Sequence, residues 1–119
     1  NIVILPYHKD VHSDHRRTFE LCYSCTKNFR YPFIKKILMM ETMSETDFAM
    51  CDYTFKPNYF VDITKFINNK IEIAKIFHSE ILEHPFPRSE KNIRAYATIR
   101  GSVIGVDSAE SFVLLKFIE

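Results

Sequence analysis

The stretch Ile2-Val3-Ile4-Leu5-Pro6, with the polar segment 7–12 and the helical pattern that follows it, decides the fold class. An unbroken β-branched and aliphatic run predicts a strand that is buried on both faces of a parallel sheet, and the proline closes that strand. We expect the next helix to begin at Ser13 or Asp14, because either side chain can accept hydrogen bonds from the free N–H groups of a first turn. A strand that leads into a helix in this way indicates an α/β fold.

Strands and helices are predicted to alternate along the rest of the chain. The first helix carries an apolar stripe and is expected to end at Tyr31-Pro32. A second strand is predicted at 35–41, followed by a polar connection at 42–58 of the kind that carries function or mobility. The remaining predicted elements are an extended segment at 59–63, a long helix that begins at Asp62 or Thr64, a helix at 89–100 ended by Gly101 and Gly105, and a strand or buried helix at 111–115.

The composition places the chain among folded globular domains and excludes several functional classes. Its 119 residues are 46% hydrophobic and 26% charged, which fits one domain. A formal charge of +1 gives no strong field toward nucleic acid or an anionic membrane. The longest apolar runs, such as 37–40, are far too short to span a bilayer, and no signal peptide is visible. The sequence lacks a glycine-rich phosphate loop, so a nucleotide fold of the Walker or dinucleotide type is unsupported.

The cysteines Cys22, Cys25 and Cys51 are too few, and odd in number, for a disulfide framework. We therefore expect reduced thiols in a cytoplasmic protein. Cys22 and Cys25 share the apolar stripe of the first helix with Thr18 and Phe29, which predicts that both thiols are buried in the core. A redox or zinc role for this Cys-x-x-Cys pair is the alternative hypothesis.

Five potential metal ligands lie between the first strand and the first helix: His8, Asp10, His12, Asp14 and His15. Sites in open α/β sheets form at the carboxyl ends of strands, so this position suits a functional site. If His12 and His15 both lie in the first helical turn, they project from the same side, and one imidazole can bind a divalent metal while the other reaches a substrate. A solvated loop in which Asp14 complements the helix dipole is the alternative, and the pattern alone leaves both open.

The segment His12-Ser13-Asp14-His15-Arg16, placed after a strand and a loop, resembles the second signature of the PIG-L/LmbE-like zinc deacetylases, usually His-Pro-Asp-His. The similarity continues in order along nearly the whole chain. The further matching segments are Tyr59-Phe60-Val61-Asp62-Ile63-Thr64, the Lys-rich stretch 70–79, Ile93-Arg94-Ala95, Arg100-Gly101 and Ala109-Glu110-Ser111-Phe112. Two departures are Ser13, which replaces the usual proline, and Ser108, which stands where a tyrosine often precedes the Ala-Glu pair.

The resemblance implies a Rossmann-like α/β fold in which residues 1–119 form the C-terminal part of a single domain, with a mostly parallel sheet flanked by helices. It implies removal of the acetyl group from an N-acetylated amino sugar, with Zn²⁺ as the cofactor. By this resemblance His15 is the zinc ligand, His12 is the imidazole that stabilises the tetrahedral oxyanion when protonated, and Asp14 orients the histidine pair. Asp10 is expected at the rim of the pocket.

The family's other signature, Ala-His-Pro-Asp-Asp-Glu, supplies the remaining zinc ligands and the general base, and it is absent from these 119 residues. We therefore expect the chain to need an N-terminal half of the same domain and to be inactive alone. Apolar strand edges left exposed would favour self-association, so a homo-oligomer is a further expectation. A degenerate relative that acts as a binding or scaffold module is the alternative function.

Overall fold

The computed structural model of the chain describes residues 1–50, 52 and 54–119. Its elements in chain order are β1 (Ile2–Pro6), α1 (Ser13–Ser24), β2 (Lys36–Met40), a 3₁₀ turn (Thr46–Phe48), β3 (Tyr59–Asp62), α2 (Ile67–Lys75), α3 (Glu90–Ile104) and β4 (Ala109–Phe117). Cys51, one of the three cysteines discussed above, lies outside the described residues. None of the described helices combines the length and the apolar character that crossing a bilayer requires.

The four strands form one mixed sheet in the order β1-β2-β4-β3. β1 and β2 run parallel, with Val3 opposite Ile37. β2 and β4 run antiparallel, with Leu38 opposite Leu114 and a register shift between positions 37 and 38. Strands and helices alternate along the chain and α1 lies against β1, so the predicted α/β class is confirmed. The register of the described strands contains one parallel pair, β1 with β2.

The chain folds as two compact units. The first consists of Asn1–Tyr59 and Phe112–Glu119, and the second of Phe60–Ser111. In the first unit α1 lies against β1. The core of this unit consists of Leu5, Ile34 and Ile37, with Val3, Phe19 and Leu115 packed around them. The loop that carries the histidine cluster therefore leaves β1 directly beside a close-packed core, which fixes where the loop begins.

β1 has one buried face and one exposed face, so the prediction of a strand buried on both faces is wrong. Leu5 is buried, whereas Ile2 is 59% exposed and Ile4 is 50% exposed. Successive side chains of a strand point to opposite faces, which puts the two exposed isoleucines on the same side. The strand order places β1 at an edge of the sheet. On the face of β1 opposite the two exposed isoleucines, Leu5 belongs to the core and Val3 packs against it.

The first helix is shorter than predicted, and its cysteines are not core residues. α1 ends at Ser24, where the N–H of Cys25 donates to Cys22 O and the hydroxyl of Thr26 donates to Tyr23 O. The chain turns away at this point, so the predicted stripe does not continue to Phe29, which is 79% exposed. Cys22 and Cys25 are both exposed free thiols, and the prediction of buried core thiols is therefore wrong.

In the second unit, α2 begins later than predicted. Asp62 and Thr64 lie ahead of the helix, where Asp62 Oδ1 accepts a 2.8 Å hydrogen bond from the Thr64 N–H. This local bond closes a turn of its own rather than capping a helix, as short polar side chains commonly do. The helix proper spans nine residues, from Ile67 to Lys75, and buries Ile71.

α3 begins where predicted but extends further. Ser89 is its N-cap, and the Ser89 hydroxyl accepts a 3.3 Å hydrogen bond from the Asn92 N–H. The helix continues through Gly101 and ends at Gly105, whose φ of 76° lies in the left-handed region that glycine adopts at little cost. Of the two glycines predicted to end this helix, Gly105 does so and Gly101 does not.

Gly101 is retained inside α3 because no side chain fits at this position. A Cβ atom there would lie 2.5 Å from Val106 O and 2.9 Å from Ser108 N, both backbone atoms. We expect Gly101→Ala to lower the free energy of unfolding by about 1–3 kcal/mol, since overpacking outweighs the helix propensity that alanine gains. Urea unfolding is the measurement. Ser102→Ala, at an exposed position of the same helix, is the control, and a Gly101→Ala variant as stable as this control would contradict the packing argument.

A small ion-pair network in the second unit predicts that the free energy of unfolding falls at acid pH. Glu90 lies 3.0 Å from Lys75 Nζ and 2.8 Å from Arg94 Nη2. Hydrogen bonds from Lys75 and then Arg94 lower the pKa of the Glu90 carboxyl below its ordinary value. Its contribution to stability is therefore complete above the ordinary glutamate pKa and is lost as the pH falls through the lowered value. We expect Glu90→Gln to lessen the fall of the free energy of unfolding at acid pH, measured by urea unfolding at a series of pH values, and an acid fall as steep as that of the wild type would contradict this role.

Candidate functional site

The candidate site lies in the first unit, where the chain leaves β1 and enters α1. Asp10 is fully buried although it lies in this connecting loop. Asp10 Oδ2 lies 2.7 Å from His15 Nδ1, and Asp10 Oδ1 accepts a 2.6 Å hydrogen bond from the Thr46 hydroxyl. An ionised carboxylate can only accept hydrogen bonds, so a hydrogen bond to it at this distance requires the tautomer of His15 that carries a proton on Nδ1. The other ring nitrogen, Nε2, is then left with a lone pair for a metal or a hydrogen-bond donor.

His12 is the N-cap of α1, in place of the predicted Ser13 or Asp14. Its backbone is extended, and its Nδ1 accepts a 3.2 Å hydrogen bond from the Asp14 N–H. A neutral ring that accepts at Nδ1 carries its proton on Nε2 and can donate from there. The rings of His12 and His15 stack with their centroids 5.2 Å apart. The fold therefore brings together the two histidines that the sequence analysis singled out, one with a lone pair and one with a proton at Nε2.

The carboxylate in contact with the His15 ring is that of Asp10, whose Oδ2 accepts from Nδ1, and not that of Asp14. The Asp14 carboxylate lies in the exposed first turn of α1, where its negative charge suits the N-terminal end of the helix dipole. Asp14 acts on the histidine pair through its backbone N–H, which holds His12. Asp10 was counted among the potential ligands, but its place behind His15 could not be read from spacing alone.

Arg16 fixes the backbone of the loop on which Asp10 lies. The Arg16 Nη1 donates to Asp10 O and to Val11 O, both at 2.7 Å. Both carbonyls belong to the connection between β1 and α1, so the guanidinium holds the loop in one conformation against the start of the helix. Arg16 had no predicted role beyond its place in the motif.

Thr46 is the functional neighbour that sequence reasoning missed. It lies 36 positions from Asp10, in the 3₁₀ turn after β2, and it is buried. The Thr46 hydroxyl also accepts a 2.8 Å hydrogen bond from the Thr42 N–H, and Glu45 O accepts one of 3.3 Å from the Val11 N–H. A single threonine in a polar connection carries no pattern that predicts such a contact.

His8 stands apart from the histidine pair. Its backbone N–H and its Nδ1 lie 3.4 and 3.3 Å from the Met39 sulfur, and its ring packs near Tyr7 and Phe19. Loss of hydration among these groups, followed by repulsion from Lys9, lowers the pKa of His8 below its ordinary value. His8 therefore favours the neutral form, as expected of a ring packed against apolar neighbours.

A cavity of about 420 Å³ opens beside Asp10. Its walls combine the cationic side chains of Lys9 and Arg16 with the apolar side chains of Phe48 and Met50. Phe48 and Met50 are 64% and 75% exposed, so the apolar wall is open to solvent. Apolar walls with a few charged groups are usual for small-molecule sites.

Within residues 1–50, 52 and 54–119, no three His, Cys, Asp or Glu side chains gather closely enough to hold a metal ion. His15 fits one position of a zinc site, because its Nδ1 is bound to a carboxylate and its side chain is 28% exposed. The chain matches no protein family model. No curated protein matches it at a significant level.

Proposed function

We propose that the chain is the C-terminal portion of a zinc-dependent hydrolase that removes the acetyl group from an N-acetylated amino sugar. The observation that carries this proposal is the stacked pair of His12 and His15 at the junction of β1 and α1. Its support is chemical: one ring offers a lone pair and the other offers a proton within the same small site. The resemblance of the motif to the His-Pro-Asp-His signature indicates the reaction that we assign to this pair, the removal of an acetyl group.

In this proposal His15 Nε2 is the zinc ligand contributed by this chain, and the other ligands and the general base come from an N-terminal half of the same domain. Zinc, when bound, supplies Lewis acidity toward the amide carbonyl. His12 donates from Nε2 to the oxygen on which negative charge develops, an interaction that gains most in a dry, preorganised site. Asp14 holds His12 in place through its backbone N–H. The chain alone is inactive.

The proposal includes a Rossmann-like fold for the complete domain. We take the parallel pair of β1 and β2 as part of a mostly parallel sheet that continues beyond the edge strand β1. Ile2 and Ile4 are exposed on one face of this edge strand. The cavity beside Asp10 is taken as the place for the non-reacting part of the sugar substrate. The exposed free thiols of Cys22 and Cys25 accord with a cytoplasmic location, which we also propose.

The decisive experiment compares the zinc content of this chain with that of a protein that also contains the Ala-His-Pro-Asp-Asp-Glu signature, and assays both for acetate release from N-acetylglucosamine conjugates. We expect close to one zinc per complete protein, with acetate release, and little zinc and no release for the chain alone. Stoichiometric zinc held by this chain alone would contradict the shared site. Zinc in neither protein would instead favour a degenerate binding or scaffold module.

A further inference from the structure

We infer that Asp10 and Thr46 are positioning residues that fix the His15 ring with its proton on Nδ1 and its Nε2 available to a ligand. The inference rests on the proposed function in one respect: the lone pair on His15 Nε2 has a functional role only if His15 is a zinc ligand. Asp10 is 0% exposed, and Asp10 Oδ2 lies 2.7 Å from His15 Nδ1. A buried carboxylate with no freedom to rotate selects both the orientation of the ring and the nitrogen that carries the proton.

Both oxygens of the Asp10 carboxylate are engaged, which is why it cannot rotate. Thr46 donates to Oδ1 at 2.6 Å, and His15 contacts the other oxygen, Oδ2. Arg16 holds the backbone carbonyl of Asp10 at 2.7 Å. Removing the Thr46 hydroxyl would leave a buried acceptor unsatisfied and free the carboxylate to turn, so Thr46 acts on His15 through Asp10.

Thr46 is itself held by its own turn and by the loop it contacts. Its hydroxyl accepts from the Thr42 N–H at 2.8 Å while it donates to Asp10. The neighbouring Glu45 O accepts from the Val11 N–H at 3.3 Å, which joins the backbone of the 3₁₀ turn to the loop that carries Asp10. Hydrogen bonds that run in a chain polarise and order one another. The polar connection after β2 is therefore part of the site rather than only a link between strands.

The test is the tautomer of His15 in the metal-free chain, read from proton–nitrogen correlation NMR spectra of the ring at about pH 8, above the ordinary histidine pKa of about 6.5. We expect wild-type His15 to carry its proton on Nδ1. In Asp10→Ala and Thr46→Val the Nδ1-protonated fraction should fall by about half or more, because the bond that selects it is lost or loosened. Thr46→Ser keeps the hydroxyl and should restore the wild-type spectrum.

Thr98→Val is the matched control, since it makes the same substitution at an exposed threonine in α3. It should leave the His15 ring signals unchanged. Two results would overturn the inference: a wild-type His15 that carries its proton on Nε2, or a Thr46→Val spectrum identical to wild type at this ring. The wild-type measurement decides even if Asp10→Ala fails to fold. No metal or substrate enters this test, so a negative zinc assay would count against the proposed function alone.

Discussion

Replacing His15 with alanine in a protein that contains both signatures is expected to abolish zinc binding and acetate release together. Outer-shell partners of metal-binding histidines already alter affinity by roughly 10- to 100-fold, so the loss of the ligand itself should weaken zinc binding by more than about 100-fold. The physical reason is that alanine offers no lone pair in place of the His15 Nε2, the proposed zinc ligand. Zinc content after dialysis and acetate release are the two measurements.

The companion variant His12→Ala separates the two histidines. It should retain most of the zinc but lose about 10²- to 10³-fold in kcat, the range observed when one donor to a developing oxyanion is removed. His78→Ala, at an exposed histidine in the second unit, controls for a general effect of removing an imidazole. Full activity in both His15→Ala and His12→Ala would contradict the proposed function, and equal zinc loss in the two variants would contradict the division of roles.

Ile37→Ala should cause the largest loss of stability among single substitutions in the first unit. Ile37 is 0% exposed and belongs to the core cluster with Leu5 and Ile34. It lies on β2, which pairs with β1 on one side and β4 on the other, so the cavity cannot close without moving two strands. We expect a loss of about 2–5 kcal/mol, and about 0.5–1.5 kcal/mol for Ile37→Val, measured by urea unfolding.

Ile2→Ala removes the same number of atoms from the neighbouring strand and is the control for Ile37→Ala. Ile2 is 59% exposed, so its truncation should change the free energy of unfolding by less than about 1 kcal/mol. Equal destabilisation by the two variants would mean that the exposed face of β1 is covered in solution. Sedimentation of the wild-type chain would then show whether the cover is a second copy.

The first three strands and the start of α3 follow from local sequence, whereas the ends of helices and the site contacts do not, and the pattern at 111–115 left strand and buried helix both open. The apolar runs at β1 and β2 and the helix start near Ser89 depend on local features that act within a few residues, and these predictions are confirmed. The exposure of Cys22 depends on where the chain turns after α1, which the helical period does not encode. Gly101 lies inside α3 and not at its end. The backbone of residues 106–108 occupies the space that a side chain at this position would need, a contact that local sequence does not reveal.

The candidate site shows the same division. The cluster between the first strand and the first helix was predicted, and the structure places His12 and His15 in contact there. The roles of Asp10 and Thr46 were not predicted. The contact of Asp10 with His15 depends on the burial of its carboxylate, and Thr46 reaches that carboxylate from 36 positions along the chain. Spacing can place groups on one face of an element, but it cannot show which loop returns to cover that face.

The division of the first unit between Asn1–Tyr59 and Phe112–Glu119 has a consequence for biosynthesis. The part of β4 that pairs with β2, residues 112–117, leaves the ribosome only after the whole of Phe60–Ser111 has been made. During that interval Leu38 lacks its cross-strand neighbour Leu114, while the second unit can already form from contacts local to its own segment. Pairing across such a separation slows folding and prolongs the exposure of unpaired strand, so the side of β2 that pairs with β4 stays unprotected until β4 has emerged.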